Sequence, residues 1–366
     1  MDRSGDGRAL RRVLIANRGE IAIRIARAAS ALGMESVAVY SAADALSLHT
    51  RFATSMSELR GTDPVAPYLD ADELLRVARE HQCDSVHPGY GFLAENAAFA
   101  EACASDGLTF VGPAPGALAL FGDKVRARAL AQSAGIPVVP GSESALVDAA
   151  AAVRVAEQLG YPVMLKASAG GGGRGMRLVQ SASELPQHFE RCRAEALAAF
   201  GNGAVFVEKA VVAPRHIEVQ VLGDNHGNVV HLFERDCSVQ RRHQKVVEVA
   251  PAPNLDPAVR AAILQDAVKL AKAAGYANAG TVEFLVDAAG NHFFIECNPR
   301  IQVEHTVTEQ VLGIDLVEAQ FRIAAGASLG DLGLGAQDAV PAPTGFAVQA
   351  RVVATAPGRM EAYREP

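Results

Sequence analysis

Residues 280–309 read GTVEFLVDAAGNHFFIECNPRIQVEHTVTE and decide the fold around them. The segments TVEFLVD and HFFIECN are typical of strands, and AAGN between them is typical of a turn. Side chains two apart on a strand share a face, so Glu283, Glu296 and Asn298 can lie on one face of this hairpin. Oxygen donors on such a platform suit Mg²⁺, which prefers carboxylates together with phosphate oxygens. The stretch therefore predicts a metal–nucleotide site on a β-hairpin.

A polar loop follows the predicted hairpin at once. It contains Arg300, Gln302, Glu304 and His305. A hairpin that serves only folding is expected to run into a turn of Gly, Asp or Asn. We therefore interpret the loop as part of the site, with a solvated loop as the alternative.

The size and charge of the chain indicate a soluble enzyme. Its 366 residues suggest two or three domains. A net charge of -7 and a pI near 5.8 argue against a nucleic-acid or membrane-surface protein. MDRSGDGRAL lacks the apolar core of a signal peptide and no apolar run is long enough to span a membrane, so we expect a cytoplasmic location. The 5 cysteines form no CxxC pair and are interpreted as reduced thiols.

The first part of the chain, residues 12–111, alternates strand and helix patterns from RVLIAN to LTFVGP. This alternation predicts a parallel sheet with helices on both faces. The turn at Gly19 could hold an anion at a helix N-terminus, but the GxGxxG fingerprint is missing, which argues against a nicotinamide site. The loop HPGYGFLAEN, residues 87–96, is expected at the carboxyl edge of the sheet, where ligands tend to bind.

A second unit begins after a helix predicted over residues 113–135, which carries Lys124, and after the linker GIPVVPGS. It is a small α/β unit of about 70 residues with a glycine loop, GGGGRGM, between strands. Successive glycines leave backbone N–H groups free to wrap a polyphosphate. Lys166, expected at a buried position upstream, needs an anionic partner such as a nucleotide phosphate. A flexible hairpin tip is the alternative, and the Walker pattern is missing.

The run DCSVQRRHQK, residues 236–245, concentrates cations in an acidic chain. Arg241, Arg242, His243 and Lys245 could contact nucleic acid, face water or converge on a small anion. The acidic chain and the lack of interleaved aromatic residues argue against nucleic acid. We therefore favour the small anion. Beyond this run, the segment GFAVQARVV is predicted to form a strand that ends near Arg351.

Several of these segments together resemble the biotin carboxylase family. They are RVLIANRGEIAIRI, HPGYGFLAEN, KASAGGGGRGM, FVEK, HIEVQV, ERDCSVQRRHQK, GTVEFLV and ECNPRIQVEHTVTE. The resemblance covers nearly all of residues 11–355 and implies an α/β fold, with a parallel-sheet N-terminal domain followed by an ATP-grasp domain with a small glycine-rich lid. The implied divisions are an N-terminal domain at 1–111, a linker helix region at 112–138, the lid at 139–210 and a C-terminal core at 211–366. HTVTE with KASAGGGGRGMR is similar to the pyruvate carboxylase branch.

The resemblance also implies roles for individual residues. The ATP-binding positions are Lys124, Lys166, Gly171, Gly172, Gly173, Glu208, Lys209, Val211, His216, Gln240, His243 and Glu283. Residues 208–211 would present backbone groups to the adenine. The implied metal ligands, for Mg²⁺ or Mn²⁺, are Glu283, Glu296 and Asn298. The implied bicarbonate-binding residues are Lys245, Arg300, Gln302 and Val303. Glu304 would be the general base, and Arg351 would stabilise the biotin enolate.

The implied activity is that of an ATP-dependent ligase that carboxylates biotin. The biotin would be held on a separate carrier protein or domain, a carboxyltransferase would choose the final acceptor, and the enzyme would be a homodimer that uses neither nucleic acid nor a membrane. Because the family continues beyond the Arg351 strand, we expect a C-terminally truncated chain with reduced stability and little transfer to biotin. One alternative is another ATP-grasp ligase of carbamoyl-phosphate synthetase type, which the HQK string and Arg351 disfavour. The other is an inactive fragment that only binds ATP.

Overall fold

The computed structural model of the chain describes residues 9–142, 144–167 and 176–352. The strands are β1 (Arg12–Ile15), β2 (Glu35–Tyr40), β3 (Ser55–Glu58), β4 (Ser85–His87), β5 (Thr109–Phe110), β6 (Val163–Ala167), β7 (Met176–Val179), β8 (Val205–Lys209), β9 (Arg215–Gly223), β10 (Val229–Arg241), β11 (Gln244–Ala250), β12 (Asn278–Val286), β13 (His292–Asn298) and β14 (Ala347–Ala350). The helices are α1 (Gly19–Ala31), α2 (Ala71–Glu80), α3 (Ala97–Ser105), α4 (Pro115–Phe121), α5 (Lys124–Ser133), α6 (Ala149–Leu159), α7 (Leu185–Phe200), α8 (Pro257–Ala273), α9 (His305–Leu312) and α10 (Leu316–Ala324). Within the described residues, no helix combines the length and apolarity needed to cross a lipid bilayer.

The first sheet is parallel, with strand order β3-β2-β1-β4-β5, as the alternating pattern predicts. Helix α1 forms because apolar residues such as Ile21 and Ile25 recur on one face, and both are buried in the core that β1 also enters. Strand order reverses between β1 and β4, and such a switch point leaves a crevice at the carboxyl ends of the strands. There the Asn17 amide donates to the carbonyls of Pro88 and Tyr90, at 2.7 Å and 2.8 Å, and so fixes the predicted HPGYGFLAEN loop.

The second sheet is antiparallel, with strand order β13-β12-β9-β10-β11-β14, and it contains the predicted hairpin as β12 and β13. Alternate residues of β9, Ile217 and Val219, enter a core with Ile263 of α8. The intervening residues His216, Glu218 and Gln220 of β9 are polar and point to the other face. Gly280 of β12 is required because any Cβ there would meet the ring and hydroxyl of Tyr276. The apolar packing thus turns the polar face of this sheet toward the candidate site.

The third sheet belongs to the small unit, with antiparallel strand order β7-β6-β8 covered by α6 and α7. Its buried side chains, among them Leu165, Phe189 and Val207, form a core of their own. The segment before α6 reaches this sheet through bridges from Gly141 and Leu146 to β8. The glycine loop, including Gly171, Gly172 and Gly173, lies outside the described residues, so its predicted phosphate-binding role stays a prediction.

One helix of the sequence-based assignment is wrong. The helix predicted over residues 113–135 is divided into α4 and α5. Asp123 is the N-cap of α5, because its carboxylate accepts from the N–H groups of Val125 and Arg126 at 2.9 Å and 3.2 Å. The basic run forms the end of β10, the turn of the β10–β11 hairpin and the start of β11. The two turn residues, Arg242 and His243, have positive φ angles of 52° and 63°. A two-residue hairpin turn of type I′ requires positive φ at both central residues.

Candidate active site

The polar face of the antiparallel sheet carries a row of carboxylates. The register places Glu218 of β9 opposite Glu283 of β12, and Glu283 opposite Glu296 of β13. Directly opposite residues on an antiparallel sheet project from the same face. Asn298 lies two residues after Glu296 and therefore shares that face. Glu283, Glu296 and Asn298 thus occupy one face, as the hairpin pattern predicts.

Lys245 of β11 reaches across this face and gathers the carboxylates. Its ammonium binds Glu218, Glu283 at 2.7 Å and Glu304 at 2.8 Å, and lies 3.4 Å from Gln302 Oε1. Burial disfavours the ammonium, but the three carboxylates outweigh it and raise the pKa of Lys245 well above its usual value. Burial likewise opposes ionisation of Glu283, but Lys245 and His216 hold its pKa well below the usual value. Lys245 and Glu283 therefore form a buried ion pair at the centre of this cluster.

His216 and Gln240 support Glu283 from the other side. His216 Nε2 lies 2.8 Å from Glu283 Oε2, and the Gln240 amide nitrogen lies 3.0 Å from His216 Nδ1. Burial opposes charging of the imidazole, but Glu283 outweighs it and raises the pKa of His216. Gln240 also donates to the Cys237 carbonyl at 2.8 Å, which fixes its side chain. Both residues were among the predicted nucleotide-binding positions.

Glu304 lies between two cations. One oxygen accepts from Lys245 at 2.8 Å and the other from Arg351 Nη2 at 2.9 Å. Arg351 Nε also binds Glu248 at 2.6 Å, whose side chain is fully buried. Burial raises the pKa of Glu248, and Arg351 counteracts that rise only in part. Arg351 is thus anchored on one carboxylate and presented to another.

Arg300 links the two large sheets. Its Nε binds Glu95 of the HPGYGFLAEN loop at 2.5 Å, and its Nη2 lies 3.2 Å from Asn298 Oδ1. Burial opposes the guanidinium charge, but Glu95 outweighs it and raises the pKa of Arg300. The Gln302 amide, which is buried, donates to Glu283 at 3.2 Å. Val303 is half-buried and precedes Glu304 at the start of α9.

A polar cavity of about 360 Å³ opens beside this cluster. Lys124, Glu296, Asn298 and Arg300 line it, and the Lys124 ammonium lies 3.6 Å from Glu296. Cations and oxygen donors therefore face the same space. The cavity joins the hairpin to the first turn of α5.

The small unit carries a separate ion pair. We expected Lys166 at a buried position, and this prediction is wrong. Alternate residues of β6 are buried, but Lys166 lies between two of them and its side chain remains 18% exposed. Its partner in the structure is Glu208 of β8, at 2.5 Å, and Glu208 also lies 3.4 Å from Arg128. Lys209 donates to the carbonyls of Gly160 and Tyr161 at 2.8 Å and 3.2 Å.

The predicted site residues thus fall into distinct groups. The central cluster joins His216, Gln240, Lys245, Glu283, Asn298, Arg300, Gln302, Glu304 and Arg351 through direct contacts. Lys124 and Glu296 form an adjoining pair, and Lys166 and Glu208 another. Among the contacts of the described residues, Lys209, Val211 and His243 are not joined to the central cluster. Val211 follows β8, and His243 is exposed at the hairpin tip.

Sequence reasoning missed three carboxylates, Glu218, Glu248 and Glu95. Glu218 had a detectable signal, because HIEVQV places polar residues at alternate positions of a strand that is otherwise apolar. Glu248 and Glu95 had none, because each is recognised only by its contact with a distant arginine. The assembled site can bind anions through its cations and can accept a proton at Glu304.

Comparison with known proteins agrees with this architecture. Residues 9–118 match the family described as biotin carboxylase, N-terminal domain, and residues 123–332 match the carbamoyl-phosphate synthase L chain, ATP binding domain. A biotin carboxylase from Campylobacter jejuni, solved in complex with a nucleotide, superposes with a TM-score of 0.90 at 44% identity, over 94% of this chain and 76% of that one. Human mitochondrial pyruvate carboxylase is 52% identical over 97% of this chain. Rhizobium etli pyruvate carboxylase superposes with a TM-score of 0.89 at 49% identity, over 93% of this chain and 31% of that one.

The parallel sheet, the small lid unit and the carboxylate-bearing antiparallel sheet define an ATP-grasp protein. More narrowly, the chain belongs to the biotin carboxylase family. The resemblance inferred from the sequence is therefore confirmed, together with the α/β fold class. The chain spans 31% of the length of human mitochondrial pyruvate carboxylase.

Proposed function

We propose that the chain is the biotin carboxylase component of a biotin-dependent carboxylase, using ATP and bicarbonate to carboxylate biotin on a carrier. The observation that supports this most directly is the environment of Glu304. Glu304 is 2% exposed, and its carboxylate lies between the Lys245 ammonium at 2.8 Å and the Arg351 guanidinium at 2.9 Å. A proton acceptor between two cations suits a reaction in which an anion is deprotonated and then attacks.

The nucleotide and its metal are assigned to the hairpin and the lid. Glu283, Glu296 and Asn298 fit Mg²⁺ or Mn²⁺, because two carboxylates and an amide oxygen share one face beside the polar cavity. When bound, this ion offsets phosphate charge and supplies electrophilic activation at the γ-phosphate. The residues proposed to hold ATP are Lys124, Lys166, Gly171, Gly172, Gly173, Glu208, Lys209, Val211, His216, Gln240, His243 and Glu283. Residues 208–211 are assigned to the adenine.

Activation of bicarbonate is assigned to the residues around Lys245. Bicarbonate is a weak, negatively charged nucleophile, and the γ-phosphate is also negative, so their approach is opposed by repulsion. Lys245 and Arg300 offset that repulsion, while Gln302 and the Val303 backbone orient the anion. Glu304 takes the bicarbonate proton as the bicarbonate oxygen attacks phosphorus. ADP leaves, and carboxyphosphate is formed.

Transfer to biotin follows from the same arrangement. Carboxyphosphate breaks into CO₂ and phosphate, and the phosphate takes the proton of the biotin ureido nitrogen. Arg351 stabilises the resulting enolate, which attacks CO₂ to give carboxybiotin. Closure of the lid keeps water from the labile intermediate. The anchoring of Arg351 by Glu248 supports this role, because it fixes the guanidinium beside Glu304.

The wider setting is also part of the proposal. A biotin carrier and a carboxyltransferase are the expected partners, with a homodimer as the expected assembly. Identities of 52–54% to pyruvate carboxylases favour pyruvate as the final acceptor. We retain the division into residues 1–111, 112–138, 139–210 and 211–366. The cytoplasmic location stays a prediction, because the human relative is mitochondrial by name.

The deciding experiment measures ATP cleavage by the chain with bicarbonate, free biotin, both or neither. The proposal expects cleavage that requires bicarbonate and rises with biotin. ATP binding detected by calorimetry without any cleavage would indicate a fragment that only binds nucleotide. Cleavage stimulated by ammonia and indifferent to biotin would indicate an enzyme of carbamoyl-phosphate synthetase type.

A further inference from the structure

Arg235 is the largest fully buried side chain of the described residues, and none of the roles above uses it. Burying a guanidinium is costly unless its charge and its N–H groups are compensated. Its Nε binds Glu218 at 2.5 Å, while Nη1 donates to Gln220 and Thr308, each at 2.9 Å. Nη2 donates to Thr281 at 3.2 Å. Side chains of β9, β12 and α9 therefore hold this guanidinium in one orientation.

Arg235 also completes the row of charges across the sheet. The register places Arg235 of β10 opposite Glu218, which continues the row to Glu283 and Glu296. Like charges in neighbouring positions of a sheet are destabilising. Arg235 supplies a fixed positive charge at the end of this row, next to the carboxylate farthest from the polar cavity.

Glu218 transmits this arrangement to Lys245. One oxygen of Glu218 binds Arg235, and the other binds the Lys245 ammonium. The Glu218 side chain is fully buried, so bulk water does not replace either partner. Burial opposes its ionisation, but Lys245 and Arg235 outweigh burial and keep the pKa of Glu218 below its usual value. The orientation of one carboxylate thus depends on both cations.

We propose that Arg235 is a positioning residue that sets the location of the Lys245 ammonium through Glu218. The inference rests on the proposed function, in which Lys245 compensates the charge of bicarbonate. Without Arg235, Lys245 is the one remaining cation in direct contact with Glu218 among the described residues. The ammonium is then drawn toward Glu218 and away from Glu304. A lysine at position 235 cannot replace the guanidinium, because it is a point charge on a flexible stem and lacks the planar fan of donors.

The test compares Arg235→Met and Arg235→Lys with a matched control, Arg260→Met, in the 366-residue chain. Arg260 binds Glu234, the neighbour of Arg235 on β10, at 2.9 Å, and the Glu234 side chain is also fully buried. Arg260 lies on α8, on the opposite side of the sheet, and neither Arg260 nor Glu234 contacts Lys245. Steady-state ATP cleavage is measured against bicarbonate and, separately, against ATP, with the melting temperature of each variant.

For Arg235→Met, we expect the KM for bicarbonate to rise about tenfold or more, because loss of a charge-assisted contact has effects of this size. The KM for ATP should stay within about twofold of wild type. Arg235→Lys should show a smaller but still selective rise for bicarbonate. Arg260→Met should lower the melting temperature and leave both KM values unchanged.

An unchanged bicarbonate KM in folded Arg235→Met would overturn the inference, as would an equal rise in both KM values. If Arg235→Met does not fold, Arg235→Lys decides: a selective rise for bicarbonate supports the inference, and wild-type kinetics overturn it. A wild-type chain whose ATP cleavage ignores bicarbonate would contradict the proposed function itself, and the inference with it. A failure confined to the variants contradicts the role of Arg235 alone.

Discussion

His87 is fully buried at the carboxyl end of β4, and its neutral form is built into the fold. The Gly89 N–H donates to Nδ1 at 3.1 Å, so Nε2 carries the proton, and Nε2 lies 3.3 Å from Gln320 Oε1. Burial lowers the pKa of His87 to about 3, and Arg24 and His305 add to that effect despite the contact with Gln320. We therefore predict that this one side chain makes the protein less stable in mild acid.

The sign and the size follow from proton linkage. In the unfolded chain the imidazole has a pKa of about 6.5. Above that value neither state binds the proton, and His87 adds no pH dependence. As the pH falls further, the unfolded state gains a proton that the folded state refuses until the pH approaches about 3. The loss of unfolding free energy is about 1.4 kcal/mol per pH unit, which gives about 2 kcal/mol at about pH 5.

The assay compares wild type with His87→Asn, whose side-chain oxygen can still accept from Gly89. Unfolding free energies from urea titrations are measured at about pH 7.5 and about pH 5. His231 and His305, whose pKa values burial lowers to about 4, contribute equally to both proteins and cancel. Wild type should lose about 2 kcal/mol more than the variant over this interval. Parallel losses in the two proteins would refute the reasoning.

Three further predictions concern the reaction. Glu304→Gln should lower bicarbonate-dependent ATP cleavage about 10²-fold or more, because the base is lost, while calorimetry should find Mg-ATP binding intact; wild-type turnover would contradict the assignment. Lys166→Ala should weaken ATP binding about tenfold, because a phosphate partner is removed and Glu208 loses the nearer of its two cations; an unchanged dissociation constant would count against the lid assignment. Glu248→Gln should reduce biotin carboxylation more than biotin-independent ATP cleavage, because Arg351 loses its anchor, and equal reductions would argue against that separation.

Local periodicity sufficed to predict the hairpin and the face shared by Glu283, Glu296 and Asn298. These features depend on residues close in sequence, where alternation specifies which side chains lie together. It also sufficed for the parallel sheet, because strands and helices alternate over a hundred residues. The family resemblance then linked distant motifs that no local pattern connects.

Partnerships between distant residues could not be predicted. Arg300 and Glu95 are 205 positions apart, and Arg351 and Glu248 are 103 apart. No pattern within a single strand or loop specifies such a pair, because it depends on how separate elements pack. Lys166 illustrates the same limit, since its need for an anion was foreseen but Glu208 was not identified as the partner. The division between α4 and α5 was missed for a different reason, since the Asp123 cap was not recognised as a helix start.

The small unit, the lid of β6, β7 and β8 with α6 and α7, has a hydrophobic core of its own, and this has a consequence for local unfolding. The core that contains α1 also contains α9 and α10, so the N-terminal sheet and the antiparallel sheet share buried apolar surface. Leu165, Phe189 and Val207 belong to a core that neither of these units enters. Elements that share a core unfold together, whereas a unit with its own small core can open below the global free energy. Amide hydrogens of β6 and β8 should therefore exchange through partial opening, while those of β9 and β12 exchange only when the whole molecule unfolds.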